Sequence, residues 1–207
     1  GGLVTHNLNP AVGTKQVGID MNLTSFTIQN GGNMDVTGLG YRGGQDGHGG
    51  DNGLGPGGGI ASGAGGGGYG GSGGAAGGGV QYGSVSEPIE LGSGGAREMS
   101  YGATGGRGGG AIKIVTSGDI EIAGNMRSNG ATGTGWYYTA GSGGSIWLQA
   151  GGQMRGAGII QSNGGDSFAG GSGAGGRIAL YYGSNTFSGT ITANAGNGTG
   201  GTIGGAG

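Results

Sequence analysis

Gly109-Gly110-Ala111-Ile112-Lys113-Ile114, Gly143-Gly144-Ser145-Ile146-Trp147-Leu148 and Gly175-Gly176-Arg177-Ile178-Ala179-Leu180 are three versions of one phrase: a glycine pair, then apolar residues at every second position. The phrases recur at a spacing of roughly 32 to 34 residues, inside the range of solenoid repeats. Each runs on through a second short segment to a third that ends in an Asn turn: Asn125-Met126-Arg127-Ser128-Asn129-Gly130, then Ile159-Ile160-Gln161-Ser162-Asn163-Gly164, then Thr190-Ile191-Thr192-Ala193-Asn194-Ala195. The apolar residues alternate, as in Ile112/Ile114, Ile120/Ile122 and Ile178/Leu180, which is the pattern of a strand with one buried face. Helical spacing is absent, and the glycine density would defeat a helix in any case. Short strands separated by turns and repeated at a fixed period predict an all-β, parallel β-helix-like β-solenoid. Stacking then aligns Ile112, Ile146 and Ile178 into an interior ladder, and Asn129, Asn163 and Asn194 at a corner, where Asn tolerates left-handed backbone and can hydrogen-bond along the axis.

The N-terminal part carries a divergent coil. Gly32-Asn33-Met34 matches Gly124-Asn125-Met126, and alternating runs at Val17 to Met21 and Phe26 to Gln29 precede it. The expected organisation is one solenoid domain, residues 1–207, of about four coils: a first coil at 1–39, a glycine-rich insertion at 40–108 and three repeats at 109–207. In the insertion, tracts such as 43–79 lack the side chains needed for a conventional core. Glycine permits the close backbone approach of threefold polyglycine II-like helices, whose amides can pair with neighbouring tracts.

Glycine fills 68 of 207 positions, but there are only three prolines and no Gly-X-Y period, so collagen is excluded. With 32% hydrophobic residues the chain can fill a narrow ladder rather than a wide core. A net charge of −2, without runs of either sign, offers no basic stripe to nucleic acid. The absence of cysteine removes disulfides and thiolate metal sites, and no apolar stretch reaches the length of a membrane span.

Polysaccharide-degrading β-helices need paired carboxylates on an exposed face. Asp119 and Glu121 share one face of a strand, but no second coil repeats them, so a solvated surface pair is the simpler reading. Asp46, His48 and Asp51 form the one potential metal cluster, on flexible backbone that is more economically read as a polar turn; no metal and no cofactor are expected. His6 has no nucleophile or carboxylate near it in sequence. The aromatics Trp136, Tyr137, Tyr138, Tyr181 and Tyr182 are candidates for contact with a glycan or with a second subunit.

Several segments, in order along the chain, carry a resemblance: Leu3-Val4-Thr5-His6, Asn33-Met34-Asp35-Val36-Thr37-Gly38-Leu39-Gly40-Tyr41, Gly53-Leu54-Gly55-Pro56-Gly57, Tyr82-Gly83-Ser84 through Pro88 to Leu91-Gly92-Ser93, Ser142 to Trp147, and Gly176 to Tyr182. The chain resembles glycine-rich repeat modules of large bacterial cell-surface and secreted proteins, similar to plant glycine-rich wall-associated proteins. The resemblance implies a secreted or surface-displayed module without known catalysis. Open solenoid ends invite another copy to stack. The expectation is thus a non-enzymatic extracellular structural protein that self-associates head to tail into a filament, fibre or surface layer, as in a biofilm matrix. Its alternatives are an adhesin that binds cell-surface or matrix polysaccharide and, remotely, a polysaccharide-degrading enzyme.

Overall fold

Alternation turns every second side chain toward one interior, and the glycines between runs let the chain swing round to the next. In the computed structural model, which describes residues 2–10, 14, 15, 17–45, 52–98 and 102–207, the runs stack in parallel as a β-solenoid of about five turns. The first rung is β1 (Leu3–Val4) alone. The next turn contains β2 (Ile19–Leu23), β3 (Phe26–Ile28) and β4 (Asn33–Asp35). The one after contains β5 (Ala111–Thr116), β6 (Ile120–Ile122) and β7 (Asn125–Arg127). A further turn has β8 (Ser145–Gly156), β9 (Ile159–Gln161) and an outlying β10 (Ser167–Phe168). The last repeats it with β11 (Arg177–Phe187), β12 (Thr190–Thr192) and β13 (Gly198–Thr199).

Three separate short runs describe only the turns built from β2 to β7. In β8 and β11 the first two runs fuse, and their register shifts where Gly151 and Gly152 of β8 stand opposite the single Gly183 of β11, a bulge on β8 that glycine accommodates. β8 therefore pairs with both β5 and β6 on one edge and with β11 on the other. The second sheet runs β1-β4-β7-β9-β12.

The expected ladder is present and one rung longer: Ile19, Ile112, Ile146 and Ile178 lie in register. Beside it run Met21, Ile114, Leu148 and Leu180. Across the interior, Val4, Met34, Met126, Ile160 and Ile191 form the matching column of the second sheet. Ile112, Ile114, Ile146, Leu148, Met126 and Ile160 are all buried. Each such side chain contributes about 1.5–3 kcal/mol, so a few adjoining columns of large aliphatics suffice as a core.

At the corner, the Asn163 backbone N–H donates to Asn129 Oδ1 (2.8 Å) and the Asn194 N–H to Asn163 Oδ1 (2.9 Å). The buried hydroxyls of Ser128 and Ser162, one position earlier, donate to the Gly110 and Gly144 carbonyls, both at 2.7 Å.

The glycine tracts form a second body against the solenoid, held by backbone bonds that recur every third residue. The N–H groups of Tyr41 and Gly44 donate to the carbonyls of Gly92 and Gly95. Those of Gly106 and Gly109 donate to Thr139 and Ser142, those of Ala140 and Gly143 to Gly171 and Ala174, and those of Gly171 and Ala174 to Ala64 and Gly67. This interval is the signature of threefold extended helices, which have no internal hydrogen bonds and must find partners sideways. Their approach leaves no space for side chains: a Cβ on Gly141 would run into the Arg107 carbonyl, and Cβ atoms on Gly130 or Gly173 would run into the carbonyl of Gly141. Buried serine hydroxyls supply some of the bonds inside the bundle. Ser142 Oγ accepts the Ser93 N–H at 2.9 Å, and Ser93 Oγ accepts the Gly57 N–H at 3.0 Å.

Candidate functional site

On the solenoid face formed by β2, β5, β8 and β11, the outward positions carry Asp20, Lys113, Trp147 and Ala179 in one row. The next row carries Asn22, Val115, Gln149 and Tyr181. Lys113 Nζ lies 3.4 Å from Asp20 Oδ2 and 5.0 Å from the centre of the Trp147 ring, so three successive turns contribute to one charged and aromatic stack.

Residues 82–90 of the insertion are strapped along this face by side chains from different turns. Lys15 Nζ donates to the Ile89 carbonyl, Ser145 Oγ to Glu90 O (2.7 Å), Arg177 Nε to Tyr82 O (3.1 Å) and Tyr181 Oη to Ser86 O (2.7 Å). Beneath the strap, Tyr69 and Tyr82 pack with ring centres 4.7 Å apart, and the Arg177 guanidinium lies 5.5 Å from the Tyr69 ring centre. Burial pushes the Tyr69 phenol up to about 12 and the Tyr82 phenol well above its ordinary value.

The strap and sheet flank two adjoining open hollows. One, of about 320 Å³, is lined by residues that include Lys15, Asp20, Glu87, Lys113 and Trp147. The other, of about 310 Å³, lies among Glu87, Trp147, Gln149 and Tyr181. Both volumes fall at the lower end of the range of small-molecule sites. The strap also affects Lys15: burial is the main cause lowering its pKa, opposed by the Glu90 and Asp20 carboxylates.

The sequence-predicted residues separate. Tyr181 lines the second hollow. Tyr182, its neighbour, continues the inward column of Thr116 and Ala150 and is exposed only because no further strand covers it among the described residues. Trp136, Tyr137 and Tyr138 lie in a distant loop, where Trp136 packs edge-on against Phe168 (5.8 Å) and Tyr138 lies tilted to it (6.2 Å). Tyr137 adopts φ 61°, a left-handed turn conformation that is costly for a bulky residue.

Asp119 and Glu121 are both engaged by Arg155, at 2.5 and 3.0 Å. The Asp119 carboxyl is held below its ordinary value, chiefly by the Gln153 N–H and then by Arg155. Both acids thus serve as ion-pair partners in the resting chain. His6 bonds through Nδ1 to the Asn7 carbonyl (2.7 Å). Asp46, His48 and Asp51 lie outside the described residues. Among the described residues no cluster of three metal-ligating side chains occurs, and no helix is long and apolar enough to cross a membrane.

Sequence reasoning missed Trp147, Gln149 and Glu87. A signal for the first two existed: in Ile146-Trp147-Leu148-Gln149, strand alternation sends them opposite the buried pair. No protein-family model, curated protein or solved structure matches the chain.

Proposed function

We propose that this chain is a non-catalytic structural module that stacks head to tail on copies of itself, forming a filament or layer outside the cell. The observation that carries the reading is the column Val4, Met34, Met126, Ile160, Ile191. Its three inner members are no more than 1% exposed, whereas Val4 and Ile191 at its two ends are 44% and 45% exposed. A copy placed one strand spacing beyond β12 would set its own Val4 over Ile191, continuing the column without a change of register. Its β2 and β3 would meet β11 just as β5 and β6 meet β8. Among the described residues no strand pairs with the outer edge of β11, and an exposed strand edge is a template for another.

The resemblance to glycine-rich surface modules supports the extracellular setting. The engagement of Asp119 and Glu121 by Arg155 supports a structural reading of the acidic pair.

Sedimentation velocity across a concentration series, with electron microscopy of the concentrated sample, tests the proposal. Open-ended linear growth is expected. Particles that stay monomeric throughout would remove it.

A further inference from the structure

We propose that the slot between Trp147 and Tyr181 is a saccharide subsite that takes a neutral pyranose unit of a polysaccharide chain. Trp147 and Tyr181 stand diagonally on adjacent strands, since Ala179 is the residue opposite Trp147. Diagonal neighbours on one face of a sheet stand roughly 7–8 Å apart, within reach of aromatic side chains. Both rings border one hollow of about 310 Å³, and an aromatic face in its wall suits the C–H face of a saturated ring. The other two positions of this block of four are Ala179, which is buried, and Gln149, which lines the hollow with the two rings.

The rest of the lining matches a sugar's remaining chemistry. Glu87 can accept from ring hydroxyls, and the Gln149 amide can both donate and accept. The aromatic walls meet the apolar C–H faces of the pyranose, while these polar groups meet its edge, the division of labour expected of a mostly apolar site with a few placed polar groups. A carboxylate on the strap disfavours an anionic sugar at this position.

The slot is held in shape before any ligand arrives. Tyr181 is tethered by its hydroxyl to Ser86 O, the Glu87 N–H donates to Ser84 Oγ (3.0 Å), and Trp147 has Lys113 against its ring. Groups fixed in advance lose little freedom on binding. The adjoining hollow shares Glu87 and Trp147 and continues to Asp20, so the groove crosses the turns along the solenoid axis. From β2 to β11 it spans three strand spacings, about 14 Å, which suits a run of sugar units rather than a lone monosaccharide.

The test uses the full chain carrying Trp136→Phe. Of the two tryptophans this leaves only Trp147, so its fluorescence reports the slot directly. The probes are hydroxyethyl cellulose, xylan, galactomannan and the N-acetylglucosamine hexamer, with polygalacturonate as the anionic comparison. Saturable change of Trp147 emission with at least one neutral probe is expected, with weaker or no response to polygalacturonate.

Isothermal titration calorimetry of the chain with Trp136 in place, which needs no tryptophan reporter, is expected to show binding weakened by about tenfold or more in Trp147→Ala. Binding is expected to weaken also in Glu87→Gln and Gln149→Ala, which leave both rings and the strap's backbone bonds in place and so separate loss of ligand contacts from loss of fold. No response to any neutral probe would overturn the subsite, as would binding that survives Glu87→Gln and Gln149→Ala together. Stronger binding of polygalacturonate than of the neutral probes would overturn the assignment of ligand class.

Discussion

Asn163 accepts the backbone N–H of Asn194 at its Oδ1 while its own N–H donates to Oδ1 of Asn129, so one residue joins three successive turns at the corner. Asn163→Ala leaves the Asn194 N–H without its acceptor while the bond to Asn129 persists through the backbone. Asn194 is exposed, so water can take the acceptor's place, and the expected cost is about 0.5–1.5 kcal/mol, the net worth of a typical hydrogen bond. Asn163→Asp keeps the acceptor and is expected to cost less at neutral pH. Chemical denaturation of the three proteins, compared at fixed slope, measures the difference.

Gly141 lies where three glycine tracts meet. Gly141→Ala places a methyl group against the Arg107 carbonyl, and relief requires the shift of backbone that is bonded on several sides. A loss of about 1–3 kcal/mol or more is expected, the scale of overpacking. Gly2→Ala, where nothing lies within 4 Å of the new atom, is the matched control and is expected to stay within about 0.5 kcal/mol of the parent. Equal thermal midpoints for the two variants would contradict close packing of the bundle.

Alkaline pH is expected to unfold the strap region first. The Tyr69 phenol ionises at about 12 in the folded chain and near its ordinary value of 10.0 when unfolded. Between these values the unfolded state holds fewer protons, so stability is fully present below about pH 10 and falls as pH rises toward 12. A shift of this size corresponds to about 3 kcal/mol. Tyr82 acts in the same direction. Urea unfolding at a series of pH values should give a falling limb in the parent and a shallower one in Tyr69→Phe.

Head-to-tail stacking makes a prediction about mixtures. Val4→Lys blocks one end and Ile191→Lys the other, at positions exposed enough for the isolated fold to accept the charge. Each variant alone is expected to sediment as a monomer. An equimolar mixture is expected to form a dimer and no larger species, because one free end remains on each. Mixtures that stay monomeric, or single variants that still polymerise, would exclude this geometry.

The solenoid was legible because its information lies in side chains with a period. Ile112, Ile146 and Ile178 fall in the register that their spacing predicts, and so do the three corner asparagines. The glycine bundle was legible only in kind. A tract such as 64–68 has no side-chain pattern to say which other tract it will meet, and its partners are fixed by the solenoid that carries the loops. The groove was least visible. Glu87 reaches Trp147 only because Lys15, Ser145, Arg177 and Tyr181 hold the strap across the turns, a relation between distant positions that no local motif records. Adjacent tyrosines misled for a simple reason: in a strand, Tyr181 and Tyr182 face opposite ways.

The bonds between glycine tracts recur at every third residue, and that interval sets a rule for length. An insertion of three residues in a tract advances the helix by one whole turn and returns each amide to the same bearing. One or two residues would rotate every later amide away from its partner. The solenoid, by contrast, changes length only by whole coils. One chain therefore keeps two separate units of measure. Its descendants can lengthen the bundle in small steps and the ladder only in large ones, without either change disturbing the other.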